Sequence, residues 1–475
     1  MTRLAILLTT LMFSATARGE ETLFAGAATA DLTPGEGVSL DGPISKPGPA
    51  LGVHDPLKSR AIVLRQADTK VLIVINDLCM VDREVFDAAK TLVFETTGIP
   101  VAHQLLAATH THAAPRVSRI STRPPDEQYR TFVAERIADA AARANENLAP
   151  AKIGIATFEL PNLAACRRSL CKPGTVAVNP YGERGERVKS VAGKGEVLRP
   201  AGPVDPEFSL LSIRHIDGSP LAVLGNFSVH YCGGYERGLV SADYFGYYAR
   251  RLESRLKSNR PGQPFVGIMS NATSGDIGSF RRIETPKQSS GAWSRMEYFG
   301  SFLADRTLQE SDKLQHSTPQ VLAVRTSELL LKVRKPDRAR VQWARTLLDD
   351  PKRDAPHRWS RIYAQETLHL KKFPDRYAVP LQVIRIGDVA LTAAPCEVFA
   401  ETGLKLKAES PFEHTVNLEL ANGYSGYLPD RQQHAWGGYE TWPARSSHLE
   451  VDAEQKIRKE LLRLLKQAYQ PGTVQ

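Results

Sequence analysis

Apolar runs rich in β-branched residues recur along the chain: RAIVLRQ (60–66), KVLIVIN (70–76), HQLLAAT (103–109), SLLSIRH (209–215), LAVLGNF (221–227), FVGIMS (265–270), LQVIRIG (381–387), DVALTAA (388–394) and TVNLEL (415–420). Several are almost continuous in apolar character, the pattern of strands covered on both faces. Asp217-Gly218 and Gly387-Asp388 join two pairs of runs and predict hairpins. Between the strands, the spacing of Phe132, Ile137, Ala141 and Leu148, of Leu252 and Leu256 after Tyr244, and of Ile457, Leu461, Leu464 and Leu465 predicts amphipathic helices. Hairpins together with helical crossovers imply an α/β fold of mixed β-sheets flanked by helices. No internal repeat, low-complexity tract or Pro/Gly/Ser linker divides the chain, so one large domain over 18–475 is expected. The charged stretch 334–375 is expected to be helical and peripheral.

The N-terminus changes where this domain is expected to reside. Arg3, an apolar run from Leu4 to Phe13 and the small residues Ala15-Thr16-Ala17 have the form of a secretory signal over 1–17. The run is well short of the roughly 20 residues that span a bilayer. The expectation is therefore an exported protein, periplasmic or secreted. With 42% hydrophobic and 24% charged residues the composition is that of a globular protein. The formal charge of +9 becomes +8 once Arg3 is removed. That excess is spread over Arg167, Arg168, Lys172, Arg184, Arg187 and Lys189 and over 334–361, where acids interleave. So diffuse a charge argues against nucleic acid and allows transient contact with an anionic membrane surface. Five cysteines, at 79, 166, 171, 232 and 396, are too few for a disulfide framework, although Cys166 and Cys171 can pair in an oxidising compartment.

The polar residues that end the strands carry the chemistry. His110 and His112 follow HQLLAAT, His230 follows LAVLGNF, Asn271 and Asp276 follow FVGIMS, Glu397 follows DVALTAA, and Tyr424 and Tyr427 follow TVNLEL. Ligands of open α/β sheets gather beyond the carboxyl ends of strands, so a shared pocket is expected. Two histidines and one carboxylate suit a catalytic zinc with a place for water. An H-E-x-x-H motif is absent, which excludes an ordinary helical zinc peptidase. In an extended chain residues i and i+2 share a face, so His110 and His112 can face one pocket, one binding metal and the other moving protons.

These pieces, in this order, resemble the catalytic domain of the neutral/alkaline non-lysosomal ceramidases, zinc-dependent amidases that split ceramide into sphingosine and fatty acid. The likeness runs through AGAATADLTP (25–34), GVHDPLKSRAIVL (52–64), NDLCMV (76–81), ATHTHAAP (108–115), DGSPLAVLGNFSVH (217–230), SGDIG (274–278), PCE (395–397), ANGYSGYLP and GGYE (421–440). It implies that His110, His230, Glu397 and Tyr427 hold Zn2+, with His112 as acid/base. It also implies that Tyr439 and Arg168, the latter in CRRS beside Arg167, face the substrate. An N-acyl amide, ceramide or a related lipid, is the implied substrate, and fatty acid and amine the implied products.

Two departures accompany the resemblance. The family segment GDVSPN is here GDIGSF, so Gly278 takes the place of a serine proposed as nucleophile and Ser279 lies one later; activation of water by the metal does not need that serine. The chain stops after its final predicted helix, at Gln475, where typical members continue into an immunoglobulin-like domain. Two other readings are an amidohydrolase barrel, in which both histidines of HTH bind metal, and an exported metal- or lipid-binding protein that has lost catalysis.

Overall fold

The computed structural model describes residues 22–42, 48–120, 124–190, 196–278, 291, 293–318 and 321–470. The expected signal segment and Ser279 lie outside these residues. Twelve strands form the two principal sheets. The larger contains β1 (Phe24–Asp31), β2 (Lys58–Gln66), β3 (Thr69–Asn76), β4 (Gln104–Ala108), β5 (Ala149–Glu159), β6 (Glu207–His215), β7 (Pro220–Phe227) and β8 (Val266–Asn271), in the order β8-β7-β6-β5-β1-β2-β3-β4. The smaller contains β9 (Leu322–Lys332), β10 (Arg376–Ile386), β11 (Val389–Ala393) and β12 (His414–Leu418), in that order. Parallel pairs β3/β4, β7/β8 and β11/β12 stand beside antiparallel neighbours, so both sheets are mixed and the fold is α/β, as expected. This order is not a barrel of eight βα units, which removes the amidohydrolase-barrel reading.

Alternation along the strands decides the layers. Ile62, Leu64, Ile73, Ile75, Leu105, Leu224 and Ile268 point inward against Ile384, Leu391 and Val416 of the smaller sheet. Their neighbours Ala61, Val63, Leu72, Val74 and Leu106 point outward under α1 (Arg83–Thr97) and α2 (Glu127–Glu146). Leu210, Val223 and Met269 point outward under α3 (Asp243–Arg255) and α4 (Ser294–Ser311). A two-faced apolar strand is buried on both sides because helices cover one side and a second sheet the other. Helix α1 buries Val85, Phe86, Ala89 and Val93, and ends where Gly98 adopts φ 69° and returns its N–H to Phe94 O.

The larger sheet contains a topological duplication absent from the sequence pattern. Each half runs hairpin, third strand, helix, parallel fourth strand, helix: β1-β2-β3-α1-β4-α2 and β5-β6-β7-α3-β8-α4. The first strands of the halves, β1 and β5, lie antiparallel at the centre. Strands β1, β5 and β9 lie outside the apolar runs read from sequence; β1, FAGAATAD, is built largely of small residues. The expected helix ending at Leu148 stops at Glu146. No described helix is long and apolar enough to cross a membrane.

The segment after β12 joins the two edges of the larger sheet. Glu419 N bonds Asn271 O at the end of β8, while Ala108 N bonds Leu420 O, and Asn422 N bonds Leu106 O on β4. The carboxyl ends of β4, β7 and β8 are thereby held around one place.

Candidate functional site

His110 leaves β4 in a left-handed conformation, φ 73°. The pair His110/His112 therefore meets by a backbone kink and not by the extended alternation expected from sequence. Their rings lie edge to face, 4.7 Å apart. A positive φ at a residue with a side chain is strained, and it persists where surrounding bonds hold it. Here His110 N bonds Leu78 O, and Thr111 Oγ1 bonds Ser241 O. Asn271 Nδ2 lies 3.4 Å from both Thr109 O and His230 O and links the two histidine-bearing loops.

The protonation of the imidazoles follows from their neighbours. His110 Nδ1 is 2.9 Å from Cys79 O and His230 Nδ1 is 3.2 Å from Ser274 O; a carbonyl accepts only, so both nitrogens carry the proton. The two Nε2 atoms then present lone pairs that face each other at 3.0 Å, with Arg167 Nη1 3.1 Å from that of His230 and His112 Nε2 3.2 Å from that of His110. Glu397 Oε2 stands 3.5 Å and 3.8 Å from them and is buried without a hydrogen bond, while Oε1 accepts from Tyr424 Oη at 2.6 Å. Three buried electron-pair donors aimed at one point repel each other unless a cation lies between them. The set His110, His230 and Glu397 thus fits a divalent metal. The two-residue strands Glu397–Val398 and Tyr427–Leu428 pair in parallel with Glu397 beside Tyr427, which brings that phenol to the same cluster.

Burial pushes the Glu397 carboxyl up, yet His110, Arg167 and Tyr424 outweigh it and hold it below the usual carboxylate range. Burial, with His110 and Arg167 nearby, keeps His230 and His112 neutral well below the ordinary imidazole value. Cys79 with His110 and His112 forms a second group of ligand-type atoms. Burial holds the Cys79 thiol protonated, and its own carbonyl occupies His110 Nδ1, so this group suits a metal less well. All five cysteines are buried and free, and Cys166 and Cys171 are not paired.

Residues 166–171 place the two adjacent arginines differently. Arg167 and Arg168, just before the short strand Ser169–Cys171, have different surroundings. Arg168 is fully buried away from the pocket, bonded to Gln433 Oε1, Gly437 O and Glu440. Arg167 enters the pocket, with Nη1 3.1 Å from His230 Nε2, Nη2 donating to Tyr427 Oη at 3.1 Å and to Gly275 O at 2.8 Å, and Nε donating to Glu440 at 3.0 Å. Gly275 is required by close approach: a Cβ there would lie 2.4 Å from Glu397 O. Asp276, grouped with the site from sequence, instead accepts from Ala400 N and stands outside the pocket lining.

The pocket has a volume of about 400 Å³, within the range of small-molecule sites. His110, His112, Arg167, His230, Glu397, Tyr424, Tyr427 and Tyr439 all line it. Tyr231 stacks on His112 with ring centres 3.7 Å apart, and His112 Nδ1 is buried without a hydrogen-bond partner. Part of the wall comes from a stretch expected to be peripheral: Arg358, Trp359, Ile362, Tyr363 and Glu366 at the start of α6 (Ser360–Lys372), which follows α5 (Arg338–Asp349). Only their charge-rich surroundings are visible in sequence, which is why they escape it. A second cavity, also about 400 Å³, shares Arg167, Arg358, Trp359 and Tyr439 with the first and is lined beyond them by Val176, Val178, Val188 and Trp442 and by the polar Glu186, Lys189, Ser190 and His357.

A sequence profile for a family described as "Neutral/alkaline non-lysosomal ceramidase, N-terminal" matches residues 24–289. Neutral ceramidase B of Dictyostelium discoideum is 25% identical over 289 residues, 57% of this chain and 38% of that protein. The chain thus spans well under half the length of this curated relative. The crystal structure of neutral ceramidase from Pseudomonas aeruginosa shares the fold, with a TM-score of 0.70 at 18% identity over 94% of this chain and 74% of that one. A structure described as "Ceramidase complexed with C2" matches equally, TM-score 0.70 at 18% identity, over 96% and 77%.

Proposed function

Because the chain belongs to the neutral/alkaline non-lysosomal ceramidase family, we propose that it hydrolyses an N-acyl amide bond. The substrate is ceramide or a related N-acyl lipid, and the products are a fatty acid and an amine such as sphingosine. His110, His230, Glu397 and Tyr427 hold Zn2+ in this reading. The observation that carries it is the convergence of two imidazole lone pairs and an unpartnered carboxylate oxygen in a buried pocket. Bound there, zinc supplies Lewis acidity towards a carbonyl and lowers the pKa of water to about 7.

The chain's own residues divide the remaining work. His112, neutral and oriented by Tyr231, takes the proton of the attacking water and delivers it to the leaving amine. Arg167 and Tyr439 donate hydrogen bonds to the oxygen that becomes negative in the tetrahedral state, with Arg167 taking the part that the resemblance gave to Arg168. Arg168 acts from behind by fixing Glu440, which in turn holds Arg167 Nε. No serine is used, in keeping with Gly278. The second cavity, whose valines and tryptophans stand beside Glu186, Lys189 and His357, offers room for the acyl chain. Export through the signal at 1–17, and transient contact with the membrane that carries the lipid, belong to the same proposal.

The test is metal analysis coupled to product identification on a panel of N-acylated amines that includes ceramide. One zinc per chain with release of fatty acid and amine is expected. Stoichiometric zinc without turnover on any member would leave the alternative, a metal- or lipid-binding protein that has lost catalysis.

A further inference from the structure

Glu419 is a buried acid that the hydrolysis does not use. It lies in the apolar run TVNLEL just after β12, is 1% exposed, and no cation pairs with it among the described residues. Taking a carboxyl out of water costs free energy unless hydrogen bonds compensate, and here there are three. Ser274 Oγ donates to Oε1 at 2.6 Å, while Oε2 accepts from Ser274 N at 3.1 Å and from Val398 N at 2.8 Å. An apolar side chain would serve packing alone at lower cost, so the reason for this acid lies in what its bonds hold.

The two residues so held stand directly behind two members of the cluster. Ser274 O faces the proton-bearing Nδ1 of His230 at 3.2 Å, with Ser274 Oγ 3.4 Å from the same nitrogen. Val398 follows Glu397 and pairs with Leu428 in the short parallel ladder that sets Glu397 beside Tyr427. His230 and Ser274 follow β7 and β8 of the larger sheet, whereas Glu397 and Glu419 follow β11 and β12 of the smaller one. A single carboxyl therefore ties a histidine-bearing loop of one sheet to the glutamate-bearing loop of the other. The backbone around it is fixed as well: Glu419 N bonds Asn271 O, Leu420 N bonds Cys396 O, and Gly275 N bonds Val398 O. Leu420 is held at φ 52°, a strained value for a residue with a large side chain, and such strain persists only where surrounding bonds over-determine it.

We propose that Glu419 is a positioning residue that, through Ser274 and Val398, fixes the spacing of His230 and Glu397 and so sets how tightly the chain holds its metal. Groups that orient a ligating histidine through its second ring nitrogen govern metal affinity in this way. The contact between Ser274 Oγ and Oε1 serves with either group donating, whereas Oε2, which faces two N–H groups, only accepts. A glutamine with Nε2 in the place of Oε1 reproduces all three bonds, and a leucine reproduces none. This inference rests on the metal assignment above and extends it to a residue that touches neither metal nor substrate.

The experiment measures zinc affinity by competition with a chromophoric chelator for the wild type, Glu419→Gln and Glu419→Leu. The visible spectrum of each protein loaded with Co2+ reports ligand geometry without any substrate. Glu419→Gln is expected to match the wild type in both. Glu419→Leu is expected to bind zinc about 10- to 100-fold more weakly, the usual cost of losing a group behind a metal ligand, and to give an altered Co2+ spectrum. Should Glu419→Leu not fold, Ser274→Ala takes its place; it removes the Oε1 bond, leaves both backbone bonds to Oε2, and is expected to weaken zinc about 10-fold. Unchanged affinity in Glu419→Leu, or in Ser274→Ala where that stands in for it, overturns the inference and leaves metal site and hydrolysis standing, as does equal weakening in Glu419→Gln and Glu419→Leu. A wild type that binds no zinc overturns the metal assignment and the inference with it. The expected series of zinc affinities without turnover on any amide overturns the hydrolysis and upholds Glu419.

Discussion

The adjacent arginines offer the sharpest separation of stability from turnover. Arg168→Met fills much of the same space but removes a fully buried guanidinium that donates at 3.0 Å to Gln433, at 2.7 Å to Gly437 O, and to Glu440. Glu440, itself 0% exposed, keeps the 3.0 Å bond from Arg167 Nε as its remaining side-chain cation. Removing one partner of a buried pair costs about 3–5 kcal/mol, a range that already contains most of the cost of orphaned acceptors. That is a large share of the roughly 5–15 kcal/mol that holds a domain folded. Arg167→Met removes a side chain that is 18% exposed and leaves Arg168 on Glu440, so the expected loss is smaller, about 1–2 kcal/mol. Its turnover should fall by about 10²–10³-fold, the cost of one donor to a developing oxyanion. Urea unfolding gives the stabilities, and kcat/KM on an N-acyl amide with zinc-loaded protein gives the turnover. An Arg168→Met protein as stable as wild type but inactive, beside an active Arg167→Met, would refute the assignment.

Other predictions address the metal, the serine position and pH. His112→Ala should retain zinc and lose about 10²–10⁴-fold in turnover, whereas His110→Ala should lose zinc as well; equal zinc loss by mass spectrometry would end the division of roles. Gly278→Ser places a Cβ about 3.2 Å from Arg167 Cβ, so turnover should fall through crowding of Arg167; a clear gain would favour a serine nucleophile over water. His448 is 1% exposed, bonds Arg445 O through Nδ1, and burial lowers its pKa to about 4. The unfolded chain takes up this proton near 6.5 and the folded one only near 4. The stability His448 contributes is therefore complete above about 6.5 and lost as pH falls towards 4, by about 3 kcal/mol in all. His448→Phe should flatten the pH dependence of urea midpoints across that window, and an unchanged slope would contradict it.

What could be read from the residues alone was set by short-range physics. Nine apolar runs are strands because β-branched sequences with turns between them suit sheets, and both predicted hairpins form at Asp217-Gly218 and Gly387-Asp388. The ligand-type residues at strand ends were visible for the same reason, and His110, His230 and Glu397 do converge. Tertiary structure decided the rest. Strand β1 is too poor in large apolar residues to announce itself, and it is a strand because β2 and β5 pair with it. The duplicated halves share an order of elements, which no local pattern reports. Whether Arg167 or Arg168 enters the pocket depends on which of two identical neighbours the fold turns towards it. Asp41 and Trp359 are remote from the histidines in sequence and reach the cavity only because loops close over it. Chain chemistry chose the elements and the ligand types; long-range packing chose which side chains meet.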